Sequence, residues 1–237
     1  MVYIGIDDTD VLGSPGTNQL ARAIVTRLGG AAQGAVICRH QLFVHPRVPY
    51  TSKNGSASIR LPHTPARLAP SLADVTSDVM LAWFVPGSDP GLCVTPDVPE
   101  ALHAFGRRCQ AEVIEQDEAR ALAGRLGVQL EGLGGTQQGV IGALAAVGLA
   151  GTEDDGRVVH MDGWPHPDTV GGAIAIRDLV GRGVDEVRRI DSGARVGSGI
   201  VDVGKRLRPN VRAGRVVLFV EPAPDGHTES DWMAVKL

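Results

Sequence analysis

Three cysteines in 237 residues, Cys38, Cys93 and Cys109, stand far apart with no C-x-x-C pair among them. That spacing excludes a disulfide framework and a thiolate zinc site. Aromatic residues make up only 4%, too few for the base-stacking platforms of general single-strand binding. No apolar run reaches the roughly 18 residues that cross a bilayer. The first residues carry acids where a secretory signal carries bases and an apolar core. A cytoplasmic protein with no membrane partner is expected. Lysine is scarce as well, three against twenty arginines, and the net charge of −4 offers no bulk attraction to nucleic acid. The charge is uneven, however. Between Arg188 and Arg215 eight basic residues face only Asp191 and Asp202, so this stretch is +6 while the rest of the chain is −10.

Glycine is abundant, 31 residues, against a usual share of about 7%. It falls in short clusters between apolar runs without a G-X-Y period, a pattern of tight turns and close backbone approaches. With 43% hydrophobic residues and a mean hydropathy of +0.02 the chain can bury a core. Val2 to Ile6 predicts a strand. A Gly/Ser/Pro loop then leads to a helix from Thr17, whose apolar residues Leu20, Ala21, Ile24, Val25 and Leu28 recur at helical spacing; Thr17 is its expected N-cap and Gly29-Gly30 its end. Strands are predicted over 36–44, 57–61 and 79–85, helices over 100–108 and 117–126, and an apolar helix opened by the glycine-rich loop 132–139 and running to about Leu149. Past Gly151 the elements shorten: strands over 157–161 and 215–221 and a helical piece near 174–180. The alternation predicts an α/β fold of the mixed α+β kind, a sheet with helices on its faces. The soft boundary near 151–156 separates residues 1–153 from a C-terminal part, 154–237, that either forms a smaller α+β domain or completes the same sheet. No repeat is visible.

Asp7, Asp8 and Asp10 follow the first strand directly. Three carboxylates there concentrate negative charge, and oxygen-only ligands suit Mg²⁺ bridging to phosphate. A helix N-terminus seven residues on, at Thr17, offers backbone donors to an anion. The plainer alternative is an acidic turn with an Asx cap. A second cluster, Thr51-Ser52-Lys53-Asn54, places hydroxyls, an ammonium and an amide in one loop, donors that suit phosphate oxygens; Asn54-Gly55 is equally a hairpin-turn signal. The loop around Gly134, Gly135 and Gly139 resembles a phosphate cradle but lacks P-loop spacing, and glycines that allow close helix–sheet packing explain it as well. Arg39-His40 could line a site at a strand end. The basic stretch 188–215 reads as a solvated face or as a dock for nucleic acid.

Taken in order, several motifs resemble the N-terminal, kinase-like half of the archaeal isoleucine-tRNA agmatidine (2-agmatinylcytidine) synthetase family. They are Gly-Ile-Asp-Asp-Thr-Asp at 5–10, Gly16-x-x-x-Leu20 with Thr17 opening a helix, Pro49-Tyr50 leading to Asn54-Gly55, Asp89-Pro90-Gly91, and the small-residue run 139–148. The likeness covers about residues 1–150. It implies an ATP-dependent kinase-like domain that activates a wobble cytidine for displacement by agmatine, with a phosphorylated threonine that falls on Thr17. Together with the residue readings above, it gives Asp7, Asp8 and Thr17 as catalytic candidates, Asp7, Asp8 and Asp10 as candidates to hold Mg²⁺, and Thr9, Asp10, Gly16, Asn18, Ser52, Lys53, Asn54, Gly134, Gly135 and Gly139 as candidates to bind ATP. The chain departs from the family in having no oligonucleotide-binding fold and no zinc ribbon, and in reading Gly16-Thr17-Asn18 where the family has Cys-Thr-Thr. It therefore reads as a stand-alone relative of the kinase-like half.

The function expected is an Mg²⁺–ATP-dependent phosphotransferase or ligase-like enzyme acting on a nucleotide, RNA or small molecule. The same residues also fit a nucleotide-binding regulatory module without turnover, or an RNA-modification subunit that borrows its tRNA grip from a partner chain. The oligomeric state, a homo-oligomer included, stays open.

Overall fold

In the computed structural model, which describes residues 1–48, 50, 53–165, 169–226 and 228–237, the chain divides into two compact units, Met1–Thr152 and Glu153–Leu237. The fold is mixed α/β, with mostly antiparallel strands and helices. No described helix is long and apolar enough to cross a membrane.

The first unit runs β1 (Val2–Asp7), α1 (Thr17–Leu28), β2 (Val36–Gln41), β3 (Gly55–Leu61), α2 (Ala69–Ala82), β4 (Gly91–Thr95), α3 (Glu100–Cys109), α4 (Gln116–Leu126), β5 (Gln129–Gly132) and α5 (Gly139–Gly151). Its strands lie in the order β5-β4-β1-β3-β2, every pair antiparallel. β1 is central, with Ile4 opposite Ile59 on one side and Val94 on the other. Strand alternation decides what it faces. Tyr3, Gly5 and Asp7 point toward α5, and Ile4 and Ile6, fully buried, point to the opposite face. α5 lies so close over β1 that a Cβ at Gly5 would collide with the Ala143 carbonyl. With α3 and α4 it closes a core of Leu102, Phe105, Leu122, Leu144 and Leu149. α1 and α2 pack together and against β3 and β4.

Two expectations about this unit are corrected. Residues 79–85 are not a strand. They are the C-terminal turn of α2 and the segment after it, because Leu72, Ala73, Thr76 and Met80 bury one helical face and commit the run that follows. A short apolar stretch carries no period of its own with which to resist. Asn54-Gly55 is not a hairpin tip either: Gly55 opens β3, and Asn54 closes the base of the long β2–β3 loop, its Nδ2 donating to the Phe43 carbonyl at 2.7 Å. β4 and β5 have no counterpart in the sequence reading.

The second unit contains β6 (Arg157–Met161), β7 (Ala173–Ala175), α6 (Ile176–Val180), β8 (Glu186–Arg189), β9 (Ile200–Asp202), β10 (Asn210–Arg212), β11 (Arg215–Pro222) and β12 (Trp232–Ala234). The order β6-β10-β11-β12-β9-β7, with β8 parallel to β11, surrounds a separate core of Ile176, Leu179, Val187, Val201, Leu218 and Val220.

Candidate functional site

The carboxyl end of β1 opens into a cleft of about 340 Å³ lined by residues from four separate stretches of the first unit. Asp7, Asp8, Asp10 and Thr17 come from the first. Arg47, Tyr50, Lys53 and Asn54 come from the β2–β3 loop. Glu112, Ile114 and Glu115 follow α3, and Gln138, Gly139 and Gly142 come from the start of α5. The acids and Lys53, more than forty residues apart in sequence, thus share one cavity.

Asp7 ends its strand on the α5 side, so its carboxylate rests against the first turn of that helix. A Cβ at residue 142 would collide with it, which is what the glycine there permits. Burial, then the neighbouring charges of Asp8 and Asp10, push the Asp7 carboxyl up to about 7, against the opposing effects of the Asp8 backbone N–H and the Arg39 guanidinium. Asp8 adopts a left-handed backbone, φ 52°, a strained conformation for a residue with a side chain. Burial and the carboxylates of Asp89 and Asp10 raise it to about 6. Asp10 is held differently. Its Oδ1 accepts the Thr17 hydroxyl at 3.1 Å, and buried Thr9 donates to the same Thr17 oxygen at 3.1 Å.

Thr17 is not the N-cap of α1. Gly16 occupies that position in extended conformation, and no side chain caps the helix. The Thr17 hydroxyl is committed to Asp10 instead, because as the first helical residue it turns toward the acid loop. Asn18 and Gly16 are half-buried beside it without lining the cleft, and Gly16 packs against the Asp10 carboxylate. Ser52 lies outside the described residues. Gly134 and Gly135 also stand apart from the cleft. They pack on Phe84 and Asp89, and Asp89 clasps their loop by accepting the Thr136 N–H at 2.6 Å and the Thr136 hydroxyl. The same Asp89 donates its backbone N–H to the Asp8 carbonyl, 3.1 Å. His40 is buried with its Nε2 2.8 Å from Ser58 Oγ, a core histidine.

Among the described residues no group of three or more His, Cys, Asp or Glu side chains is arranged to hold a metal ion. The three aspartates are therefore not a ready-made cage: Asp7 faces α5, Asp8 faces Asp89, and Asp10 is tied to Thr17. The donor set does fit Mg²⁺ in its usual protein setting, one or two carboxylates with phosphate oxygens and water completing the octahedron. Burial first, and then the neighbouring acids, raise both the Asp7 and Asp8 carboxyls, and a bound cation would offset the repulsion among these acids.

Arg47, Glu112 and Glu115 carry no signal in the sequence that marks them for this cleft. Tyr50, Gln138, Gly142 and Asp89 are not among the site residues expected from the sequence, although they sit in stretches with a visible pattern: the Pro-Tyr loop, the glycine-rich loop and small-residue run, and an Asp-Pro-Gly turn.

A tRNA fluorescent labelling enzyme matches at 28% identity and a TM-score of 0.52, over 62% of this chain and 35% of that one. Apo TiaS, an agmatidine synthetase for an isoleucine tRNA, matches at 27% and 0.51 over 62% and 35%. TiaS in its complex with that tRNA and ATP matches at 25% and 0.52 over 62% and 36%. This chain resembles part of TiaS. The likeness read from the motifs is thus found in the fold, and the chain spans about a third of the length of those proteins. No protein-family model and no curated protein matches it.

Proposed function

We propose that the chain is an Mg²⁺–ATP-dependent phosphotransferase or ligase-like enzyme whose acceptor is a nucleotide, RNA or small molecule. The observation that carries this reading is the shared cleft, in which Asp7 and Asp8, the Asp10–Thr17 pair and Lys53 meet. ATP in the complex of the similar TiaS supports it.

Asp7 and Asp8 would hold Mg²⁺, which when bound with ATP would offset the negative charge of the phosphoryl group in transfer. Lys53, which lines the same cleft, would supply a point charge for phosphate. Thr17 and Asp10 form a nucleophile–base pair. The Asp10 carboxylate orients the Thr17 O–H and can accept its proton, while Thr9 fixes the position of the oxygen. In a phosphoryl-carrier step the Thr17 oxygen bonds to the γ-phosphorus, the bond to ADP breaks, and the proton passes to Asp10.

Incubation of the protein with Mg²⁺ and γ-labelled ATP, followed by intact mass and nucleotide analysis, tests this. A gain of one phosphate on Thr17, or release of ADP or AMP that depends on Asp8, is the expected result. ATP bound but recovered intact, with no label transferred to protein or water, would reduce the chain to a nucleotide-binding module.

A further inference from the structure

Three arginines of the basic stretch that the cleft leaves unused, Arg188, Arg195 and Arg215, come together at one feature of the second unit. β8 turns back on itself after Arg189, and the returning segment pairs with it through Arg189 N–H to Ala194 O and Val196 N–H to Val187 O, both 2.8 Å. That pairing sets Arg188 directly across from Arg195. Neighbours across an antiparallel ladder share a face, and the face also holds Glu186, two residues before Arg188. Glu186 is the pivot. Its side chain is 1% exposed, yet it gathers three guanidinium groups. Arg188 reaches Oε2 through Nε and Nη2 at 2.5 Å each, Arg195 reaches Oε1 through Nη2 at 3.1 Å, and Arg215 Nη1 from the start of β11 reaches Oε1 as well.

One carboxylate needs one counter-charge, and this one has three. The surplus is two positive charges at a single point. The arginine side chains remain 35%, 66% and 55% exposed, so the cluster is open to solvent while its anchor is buried. Of the nearby acids, Asp191 pairs with Arg189 at 2.5 Å; Asp185 is oriented by the Val216 N–H at 2.7 Å and keeps its charge, so even counting it against the cluster at least one positive charge is left over. A guanidinium carries five N–H donors in a planar fork, more than Glu186 can accept from three of them. Like charges held together in this way repel one another until a second anion joins them, and planar forks match the oxygens of a phosphate group.

We propose that Arg188, Arg195 and Arg215, gathered by buried Glu186, form a binding site for a phosphate group, either free or in an RNA backbone. The site is independent of the cleft in the first unit and of the activity proposed for it.

Titration of the full chain with inorganic phosphate and with a short labelled single-stranded RNA tests the site. The cluster variant is Arg195→Gln with Arg215→Gln, two exposed positions. The control, Arg177→Gln with Arg182→Gln, removes the same charge from exposed positions outside the cluster. Wild type and control should bind alike, and the cluster variant about tenfold or more weaker, as loss of charge-assisted hydrogen bonds implies. Arg195→Lys, which keeps the charge without the fork and leaves Glu186 covered, should show a smaller loss in the same direction and guards against misfolding of the double variant. Tight RNA binding with a salt slope that falls in the cluster variant assigns a phosphodiester source; binding of inorganic phosphate alone assigns a free one. The proposal is overturned if neither probe binds wild type, if the control weakens binding as much as the cluster variant, or if the cluster variant binds as wild type does.

Discussion

Replacing Asp7 by Asn should make the ligand-free protein more stable at pH 8, although the residue lies at the heart of the cleft. Folding raises the Asp7 carboxyl from 3.8 to about 7, chiefly by burial and by the charge of Asp8. The folded state therefore holds this proton more tightly than the unfolded chain. The stability that neutral Asp7 provides is complete below pH 3.8 and is lost as pH rises through about 7. A shift of this size corresponds to a ceiling of about 4 kcal/mol, at about 1.4 kcal/mol per pH unit. Asn avoids the ionisation but weakens the hydrogen bond from the Asp8 backbone N–H, which costs about 1–2 kcal/mol. A net gain of about 2 kcal/mol remains, or about 4–8 °C in melting temperature for a chain of this size. Thermal melts of both proteins without divalent cations, at pH 5 and pH 8, measure it. The gap should be wide at pH 8 and small at pH 5, where wild-type Asp7 already holds its proton. Adding Mg²⁺ at pH 8 should stabilise wild type more than the variant. A variant less stable than wild type at pH 8, or a gap that does not change with pH, would refute the reasoning.

Gly142→Ala introduces a Cβ against the Asp7 carboxylate; it should cost about 1–3 kcal/mol by overpacking and weaken Mg²⁺–ATP binding, as calorimetry on the folded variant would show. Lys53→Ala should leave the melt unchanged and weaken ATP binding about tenfold, the loss of one charge-assisted contact; unchanged affinity in the titration would remove Lys53 from the phosphate site. Thr17→Ala loses two side-chain hydrogen bonds but no helix cap, so it should cost only about 1–2 kcal/mol while turnover falls by orders of magnitude; Thr17→Ser should retain part of the turnover, and a fully active Thr17→Ala would leave the hydroxyl a purely structural role.

How far the sequence discloses this molecule depends on the range of the signal. The β1–acid loop–α1 segment is legible because each signal is local: five apolar residues, then the acids, then a 3.6-residue period. The helix over 139–151 is equally legible from its unbroken small and apolar run. β4 is not, since five consecutive buried residues, Gly91–Thr95, carry neither alternation nor helical period. The part of the cleft lining that comes from outside the acid loop is also invisible. Arg47, Tyr50 and Glu112 are brought to Asp7 only by the antiparallel order β4-β1-β3-β2 and by the packing of α3 on α5, and no local pattern encodes that order. Thr17 shows how a local preference can mislead: the Ser/Thr preference at N-caps points to it, but Gly16 takes the extended conformation at the cap and the Thr17 hydroxyl donates to Asp10 instead. In the second unit the arginines can be counted from the sequence, whereas Glu186, the residue that gathers them, lies just outside the counted stretch.

The proposed function requires the acids at the end of β1 to bind ATP through Mg²⁺. Calorimetric titration of ATP into wild type and Asp8→Asn, each with Mg²⁺ and with chelator, tests it most directly. Wild type should bind ATP only when Mg²⁺ is present, and Asp8→Asn should lose about tenfold or more of that affinity while melting at no lower temperature. ATP binding that is indifferent both to Mg²⁺ and to Asp8→Asn, or no binding by wild type at all, would contradict it.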